Sequence, residues 1–215
     1  MKIIAENVTK KIKDRIILNK INLTLESGTV YGFVGRNGSG KTMLFRALSG
    51  LMKIDEGTIS LDGKILHEDM TVLPDMGIVL ENAGLYPEYT GFKNLQLLAK
   101  INNKISDEDI KKAITRVGLD PKDKRTFRKY SLGMKERIVI AQAIMEKPNI
   151  IFLDEPTNGL DENGVEDIRK IIAEEKARGA MVLLASHNKD DIRLLADKVY
   201  YMSDGVLKEG SENEN

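Results

Sequence analysis

Eight consecutive residues, Gly35 to Thr42, constrain the fold of this chain more than any other stretch. Glycine, four further residues and then Gly-Lys-Thr is the spacing of a loop that binds phosphate through backbone amides. Glycine has no Cβ atom, so the loop backbone can approach phosphate oxygens closely. An apolar run of strand type, 30–34, precedes the loop, and apolar residues at helical spacing follow it. The stretch therefore predicts a strand, a phosphate-binding loop and a helix whose positive end faces an anion.

The residue types in this loop indicate how each would bind a nucleotide. The Lys41 ammonium would reach the β and γ phosphates, and the Thr42 hydroxyl would bind Mg²⁺. Backbone amides of the loop and of the following helix would contact phosphate oxygens. The candidate nucleotide contacts here are Gly35, Arg36, Asn37, Gly38, Ser39, Gly40, Lys41, Thr42 and Met43.

Composition excludes several classes of protein. At 215 residues and 41% hydrophobic content, the chain can bury one sizeable core. Lys+Arg and Asp+Glu balance at 33 each, so the sequence does not indicate the basic surface expected of a dedicated nucleic-acid binder, and a local basic patch stays open. The lack of cysteine excludes disulfides and thiolate metal sites. Because no apolar run reaches the about eighteen residues of a membrane span and the N-terminus does not resemble a signal peptide, we expect a soluble, cytoplasmic protein.

The rest of the chain divides by the period of its apolar residues. Residues 1–34 alternate apolar and polar side chains, which predicts β structure. Asp62-Gly63, between two short runs of strand type, is the strongest short signal for a β-hairpin. His67, just past this hairpin, is expected to be an exposed loop residue. From 92 to about 145 the spacing becomes helical, which predicts an all-helical insert.

Two later apolar strands end in polar residues that suit catalysis. The run 150–153 leads into Asp154 and Glu155, and the run 181–185 leads to His187. Ligands of parallel α/β sheets bind at the carboxyl ends of the strands, so we predict that these side chains share a site. Asp154 would hold Mg²⁺ through water, Glu155 would act as general base, and His187 would contact the γ-phosphate. The alternatives are an acidic turn after an ordinary strand and a structural histidine.

The order of these features, namely phosphate loop, helical insert, strand with Asp-Glu and strand with histidine, resembles the ATP-binding cassette (ABC) ATPases over nearly the whole chain. The resemblance implies that 35–42 is the Walker A motif and 150–155 the Walker B motif. It also implies that 156–161 leads into the D-loop and that His187 is the switch histidine. ATP and Mg²⁺ are then the expected ligands.

The resemblance also implies an architecture. The fold class is α/β: a P-loop NTPase core with a mostly parallel sheet, an N-terminal antiparallel β subdomain and an inserted helical subdomain. We expect a single domain over 1–215. Its core and β subdomain would cover 1–84 and 148–215, and its helical subdomain about 85–147.

The segment 130–137 resembles the signature motif of the family, usually Leu-Ser-Gly-Gly-Gln, although Leu132 and Met134 replace the first glycine and the glutamine. Ser131 and Gly133 match the motif. By resemblance, their hydroxyl and amide would meet a γ-phosphate at the positive end of a helix. Since backbone amides would make much of this contact, the mechanism tolerates the two replacements.

Two further positions depart from the family pattern. The aromatic residue that usually stacks on adenine falls near Ile12, and no aromatic residue precedes Tyr31, so the base would be held by weaker apolar contact. The glutamine of the Q-loop falls on Glu81. A carboxylate can bind Mg²⁺ but also repels the γ-phosphate. Two roles for Glu81 therefore stay open: a metal ligand, or a residue of the membrane interface.

The resemblance implies a function as the ATP-binding and ATP-hydrolysing subunit of an ABC transporter. A separate transmembrane permease would be its partner, reached through Tyr86-Pro87 and the helical insert at the inner face of the cell membrane. Two copies would close head to tail on ATP, each Walker A motif facing the partner's Ser131. The chain looks most like small bacterial exporter ATPases of the antibiotic, lantibiotic or multidrug type.

Two alternatives come from other classes. A soluble cassette ATPase acting on nucleic acid or ribosomes shares these motifs, but such relatives usually carry two cassettes or long coiled coils. A GTPase or small-molecule kinase has the first loop but no use for the helix after Ser131 or for His187.

Overall fold

The computed structural model describes residues 1–80 and 84–210. The strands are Lys2–Ile12 (β1), Arg15–Glu26 (β2), Val30–Val34 (β3), Glu56–Leu61 (β4), Lys64–Ile65 (β5), Met76–Val79 (β6), Ile150–Asp154 (β7), Met181–Ala185 (β8), Lys198–Ser203 (β9) and Val206–Glu209 (β10). The helices are Lys41–Ser49 (α1), Gly91–Asn102 (α2), Asp107–Arg116 (α3), Leu132–Ile144 (α4), Glu162–Ala177 (α5) and Lys189–Leu195 (α6), with a 3₁₀ turn at Phe127–Lys129. No helix in the described ranges is both long and apolar enough to cross a membrane.

The strands form two sheets of different character. Six strands in the order β10-β9-β3-β8-β7-β6 make the larger sheet, in which every neighbouring pair is parallel except β9 and β10. The smaller sheet, in the order β2-β1-β4-β5, is antiparallel throughout. The predicted α/β class with a mostly parallel core sheet and an N-terminal antiparallel sheet is confirmed.

The larger sheet separates two hydrophobic cores. Successive side chains of a strand point to opposite faces, so Ile151 and Leu153 of β7 join one core while Ile150 and Phe152 join the other. The first core is completed by helices α2 to α6, and the second by α1 and the smaller sheet. Burial on both faces explains why β7 and β8 read as unbroken apolar runs instead of alternating ones.

Three parallel strands bring the predicted functional segments to one edge of the larger sheet. β3, β8 and β7 are neighbours in that order and run in the same direction. The phosphate loop follows β3, Glu155 follows β7, and His187 comes shortly after β8. Parallel strands have their carboxyl ends at the same edge, so the topology brings together segments that lie far apart along the chain.

The helical segment between β6 and β7 is held by local caps and by close packing. Ser106 and Asp109 form a capping box at α3, in which the Asp109 amide donates to Ser106 Oγ at 3.3 Å. The buried side chain of Asn94 on α2 accepts from the Tyr86 amide at 2.7 Å and donates to the Tyr86 carbonyl at 3.0 Å. The loop before α2 is therefore anchored by this buried amide group, and also by the amides of Phe127 and Arg128, which donate to the Tyr89 and Pro87 carbonyls at 2.8 and 3.0 Å.

The hairpin at Asp62-Gly63 is confirmed, because β4 pairs with β5 and both turn residues have positive φ, 48° and 84°. The expectation that His67 is exposed is wrong: its side chain is half-buried, and Nε2 is buried with no hydrogen-bond partner in the described part of the chain. The segment after β5 turns back on itself, with the His67 amide donating to the Met70 carbonyl at 2.6 Å.

Candidate functional site

The loop between β3 and α1 has the backbone geometry that an anion site requires. Gly38 and Gly40 have φ of 80° and 111°, and a Cβ atom on Gly40 would lie 2.7 Å from the Met202 methyl group. Both positions therefore favour glycine. Gly40 is the N-cap of α1 and supplies no side-chain cap, and the first helical hydrogen bond is donated by Leu44. The amides ahead of Leu44 lie outside the helical ladder and can serve a ligand.

Lys41 is folded back onto this loop. Its side chain is buried, and Nζ donates to the Gly35 carbonyl at 2.6 Å and to the Arg36 carbonyl at 3.3 Å. Both acceptors are neutral, so these two contacts do not neutralise the ammonium, and its charge can attract an anionic ligand.

The Thr42 hydroxyl donates a hydrogen bond to Asp154 Oδ2, which joins the first turn of α1 to the end of β7. A hydroxyl oxygen and a carboxylate oxygen are hard donors of the kind that Mg²⁺ prefers. Across 1–80 and 84–210, no group of three His, Cys, Asp or Glu side chains could hold a metal ion. Thr42 and Asp154 fit a Mg²⁺ that takes its remaining ligands from phosphates and water, which is the usual arrangement for this ion.

Glu155 and His187 form a direct pair. Oε2 of Glu155 lies 2.7 Å from Nδ1 of His187 and also accepts from the His187 amide at 3.3 Å. The other oxygen, Oε1, is buried and has no hydrogen-bond partner among the described residues. The backbone of Glu155 is left-handed, with φ of 53°, so the chain turns sharply at the end of β7. One carboxylate oxygen is thus held in place by His187, while the other is buried without a partner among the described residues.

These segments surround a cleft of about 1180 Å³, which exceeds the 300–1,000 Å³ typical of ligand pockets and has room for a nucleoside triphosphate. Most of the predicted side chains meet there. The predicted residues that line it are Ile12, Asn37, Gly38, Gly40, Lys41, Thr42, Met43, Asp154, Glu155 and His187.

Several lining residues escaped prediction. Arg46 lies one helical turn after Thr42, so its spacing on α1 could have identified it. Glu136 lies on α4, and burial raises the pKa of its carboxyl. The ammonium of Lys135 lies over the ring of Phe127, 5.8 Å from the ring centroid. No local sequence signal predicted either residue. The remaining unpredicted lining residues are Ile17, Val79, Leu80, Gly84, Leu85, Leu132, Val139 and Asn158.

Three predicted residues of the loop do not line the cleft. Gly35 and Arg36 contribute the carbonyls that hold Lys41. Ser39 is buried, and its Oγ has no hydrogen-bond partner in the described part of the chain. A Cβ atom on Gly35 would lie 2.3 Å from the Met202 carbonyl oxygen and 2.6 Å from this Oγ, so a glycine is needed at this position.

Ser131 and Gly133 also lie outside the cleft of their own chain. Ser131 caps α4, its Oγ accepting from the Met134 amide at 3.2 Å. A Cβ atom on Gly133 would lie 3.3 Å from the Gly159 carbonyl, so this turn of α4 faces the segment 156–161. The predicted contact of both residues with a nucleotide held by a second copy stays a prediction.

Ile12 is the last residue of β1, is 42% exposed and lines the cleft. Its position agrees with apolar contact to a base but does not test it. The predicted metal ligand Glu81 lies outside the described residues.

Comparisons with known proteins are consistent with this geometry. The model of the family described as ABC transporter matches residues 18–158. Uncharacterized ABC transporter ATP-binding protein YybJ of Bacillus subtilis is 49% identical, with 94% of this chain and 93% of YybJ covered. Bacitracin transport ATP-binding protein BcrA of Enterococcus faecalis is 38% identical over 95% of this chain and 67% of BcrA. Lantibiotic transport ATP-binding protein SrtF of Streptococcus pyogenes is 32% identical, with 97% and 92% covered.

The fold has a close counterpart among solved structures. A structure titled as the ATP binding subunit of an ABC transporter has a TM-score of 0.87 and 23% identity, covering all of this chain and 91% of the other. At this identity the likeness concerns the fold, and it agrees with the two-sheet architecture above. Because the family model spans well over half of the chain and the relatives match along nearly all of it, the chain belongs to the ABC transporter family, among its ATP-binding proteins.

Proposed function

We propose that this chain binds ATP with Mg²⁺ in the cleft and hydrolyses it to power a bacterial exporter. The membrane-spanning part of that exporter is a separate permease chain. Membership of the family supports ATP binding and hydrolysis. The names of BcrA and SrtF support a peptide antibiotic as the class of cargo. The observation that carries the proposal is the meeting of the phosphate loop, the Thr42–Asp154 pair and the Glu155–His187 pair in one cleft.

Phosphate binding is assigned to the loop 35–42 and to Met43. The free amides at the start of α1 and the positive end of its helix dipole stabilise the phosphates. Lys41 turns from the Gly35 and Arg36 carbonyls to the β and γ phosphates, exchanging neutral acceptors for charged ones. Ile12 contacts the base.

Thr42 and Asp154 would hold Mg²⁺, and the bound ion would supply charge that offsets the phosphates and polarises the γ-phosphoryl group. Glu81 is proposed as a further ligand, on its position in the sequence after β6. Replacing Glu81 by Gln should then raise the Mg²⁺ concentration for half-maximal hydrolysis several-fold. An unchanged Mg²⁺ requirement, with activity altered only beside the permease, would assign Glu81 to the membrane interface.

Hydrolysis uses the carboxylate of Glu155 as general base. It takes a proton from water as the water oxygen bonds to the γ-phosphorus. The bond from that phosphorus to the β–γ bridging oxygen breaks, and ADP and phosphate leave. His187 holds Oε2 and so orients the carboxylate, and its ring lies beside the reacting phosphate.

The site is completed by a second copy in a head-to-tail dimer. Ser131 and Gly133 would then meet the γ-phosphate held by the partner's Walker A loop. This arrangement is supported by their position at the start of α4, where neither residue lines the cleft of its own chain. No nucleic acid is part of this function.

The chain is proposed to form one cassette over 1–215, with a core and β subdomain at 1–84 and 148–215 and a helical subdomain at about 85–147. The permease docks at the inner face of the cell membrane on the loop before α2. Tyr86 and Tyr89 are exposed there with ring centroids 5.6 Å apart, and Asn94 anchors their backbone. Exposed aromatic side chains on an anchored loop are typical of binding surfaces.

Cross-linking tests the permease contact, since the chain has no cysteine of its own. Tyr86→Cys should cross-link to an integral membrane protein in membranes of the source organism. Val206→Cys is the matched control, because β10 is the sheet edge opposite β6 and Val206 is 39% exposed. Equal cross-linking from both sites, or none from Tyr86→Cys, would contradict the docking surface. Failure of the purified chain to release phosphate from MgATP, with and without that membrane protein, would contradict the ATPase.

A further inference from the structure

A buried carboxylate connects the segments that carry Glu155 and His187. Asp191, in the first turn of α6, is 0% exposed, and both of its oxygens are used. The Thr157 hydroxyl donates to Oδ2 at 2.5 Å. Arg169 of α5 donates to Oδ1 from Nε at 2.9 Å and from Nη2 at 2.7 Å. Thr157 lies two residues after Glu155, and Asp191 four residues after His187, so one side chain ties both segments to α5.

Helix α6 is also held from the side of the sheet. A Cβ atom on Gly32 of β3 would lie 2.9 Å from the Ala196 Cβ atom and 3.1 Å from the Ile192 side chain. The short helix therefore packs directly on the strand backbone at this glycine. With Ile192 on β3 and Asp191 bonded to Thr157 and Arg169, α6 has little freedom to shift relative to the loop after β7.

The loop after β7 needs such an anchor. Glu155 adopts a left-handed backbone, which is unfavourable for a residue with a Cβ atom and persists when surrounding contacts hold it. Its amide donates to the Ala185 carbonyl at 2.8 Å, and its carbonyl accepts from the Asn158 amide at 3.1 Å. The Thr157 hydroxyl inside this turn adds the side-chain bond to α6.

We propose that Thr157, Asp191 and Arg169 are positioning residues that set Glu155 and His187 relative to each other for hydrolysis. This inference rests on the proposed ATPase function. None of the three is among the described residues that line the cleft; they act through the turn that carries Glu155. Loss of the Thr157 bond should let the Glu155–His187 pair separate, which slows water activation while the phosphate loop still binds ATP.

Matched variants at Thr157 test this role. Thr157→Val keeps the shape and loses the hydroxyl, whereas Thr157→Ser keeps the hydroxyl. We expect Thr157→Val to lower kcat about tenfold with KM for ATP nearly unchanged, because small displacements of catalytic groups have effects of this order. Thr157→Ser should retain the wild-type kcat.

Glu175→Gln is the control for a general loss of stability. Glu175 is a buried carboxylate at the other end of α5, bonded to Arg116 at 2.9 Å and to Arg178 at 2.5 Å. The Glu175→Gln substitution should lower the melting temperature at least as much as Thr157→Val does and leave kcat unchanged. A wild-type kcat in Thr157→Val, or an equal loss of kcat in Glu175→Gln, would overturn the inference.

A readout that needs no turnover separates this inference from the proposed function. The chain has two histidines, so His67→Gln leaves a single ring to observe by ¹⁵N NMR. In this background the His187 ring signals should change in Thr157→Val and stay in Thr157→Ser and Glu175→Gln. Unchanged His187 signals in Thr157→Val would overturn the positioning role, even if the wild-type chain hydrolysed ATP; absent hydrolysis in the wild type would instead count against the proposed function.

Discussion

Among the residues of the cleft, Lys41 has the simplest set of contacts to test. Its side chain is buried, and its ammonium donates to two neutral loop carbonyls at 2.6 and 3.3 Å. We expect Lys41→Ala to lower phosphate release at least about a hundredfold, since removal of one donor to a developing anion has effects of this size. The free energy of unfolding should change by about 1 kcal/mol, the usual effect of losing a hydrogen bond.

Urea unfolding and phosphate release of the purified variant measure both quantities. Lys13→Ala is the control, because Lys13 is an exposed turn residue outside the cleft. Hydrolysis at the wild-type rate in Lys41→Ala would contradict the assignment of nucleotide binding to this loop.

With Ile12 in place of an aromatic residue, we expect the chain to discriminate poorly among nucleobases. Stacking on an aromatic residue contributes about 1–3 kcal/mol per base, and Ile12 offers apolar contact without a π-face. Competition binding is expected to place GTP within about tenfold of ATP, a gap of about 1.4 kcal/mol. Ile12→Tyr, which adds a ring at the same position, should tighten both. A preference of the wild type for ATP of about a thousandfold or more would mean that another residue recognises the base.

Between elements, the contact of β6 with α4 depends on one glycine. A Cβ atom on Gly77 would lie 1.9 Å from the Ala143 carbonyl oxygen, a distance that no side-chain rotation relieves. Gly77→Ala should therefore push α4 from the sheet and lower the free energy of unfolding by about 1–3 kcal/mol. Urea denaturation measures this loss. An unchanged midpoint would show that β6 and α4 separate without resistance.

The phenol of Tyr200, a buried residue of strand β9, makes the stability of the chain depend on pH in the alkaline range. Burial raises the pKa of the Tyr200 phenol to about 12, with smaller contributions from the charges of Glu209 and Tyr31. The unfolded phenol has a pKa of about 10. Because the folded pKa is the higher, the neutral phenol's contribution to stability is complete below pH 10 and is lost as the pH rises to about 12.

Tyr200→Phe should remove this part of the alkaline loss of stability, which urea unfolding between pH 9 and about 11.5 would measure. Tyr201→Phe is the control, because Tyr201 is the next residue of β9 and is 37% exposed. An alkaline loss in Tyr200→Phe as steep as in the wild type would assign it to other groups.

For the whole molecule, the head-to-tail model makes Glu155→Gln the informative change. The amide cannot accept the proton of water, so ATP stays bound and the closed dimer accumulates. Size-exclusion chromatography with MgATP should show a species of twice the monomer mass that the wild type lacks. The double variant with Lys41→Ala should stay monomeric. A monomeric Glu155→Gln chain under saturating ATP would contradict the dimer.

Features set by neighbours in the chain were predictable from the sequence. The glycines of 35–42 demand a backbone that few other sequences allow, and the apolar runs before Asp154 and His187 fit strands buried on both faces. The order of these motifs was sufficient for the α/β fold with its two kinds of sheet. His67 was misjudged because the burial of a side chain in a turn depends on the folded surroundings, which single-residue polarity does not report.

Contacts between distant segments were decided by tertiary structure. The Thr42–Asp154 bond spans 112 residues and the Glu155–His187 pair spans 32, and both exist because β3, β8 and β7 end at one sheet edge. The same holds for Thr157 and Asp191, whose residue types are common in turns and helix starts. Local sequence specifies backbone conformation through sterics and periodicity, whereas the partner of a hydroxyl or carboxylate depends on which elements pack together; only the folded sheet therefore determined how the site is connected.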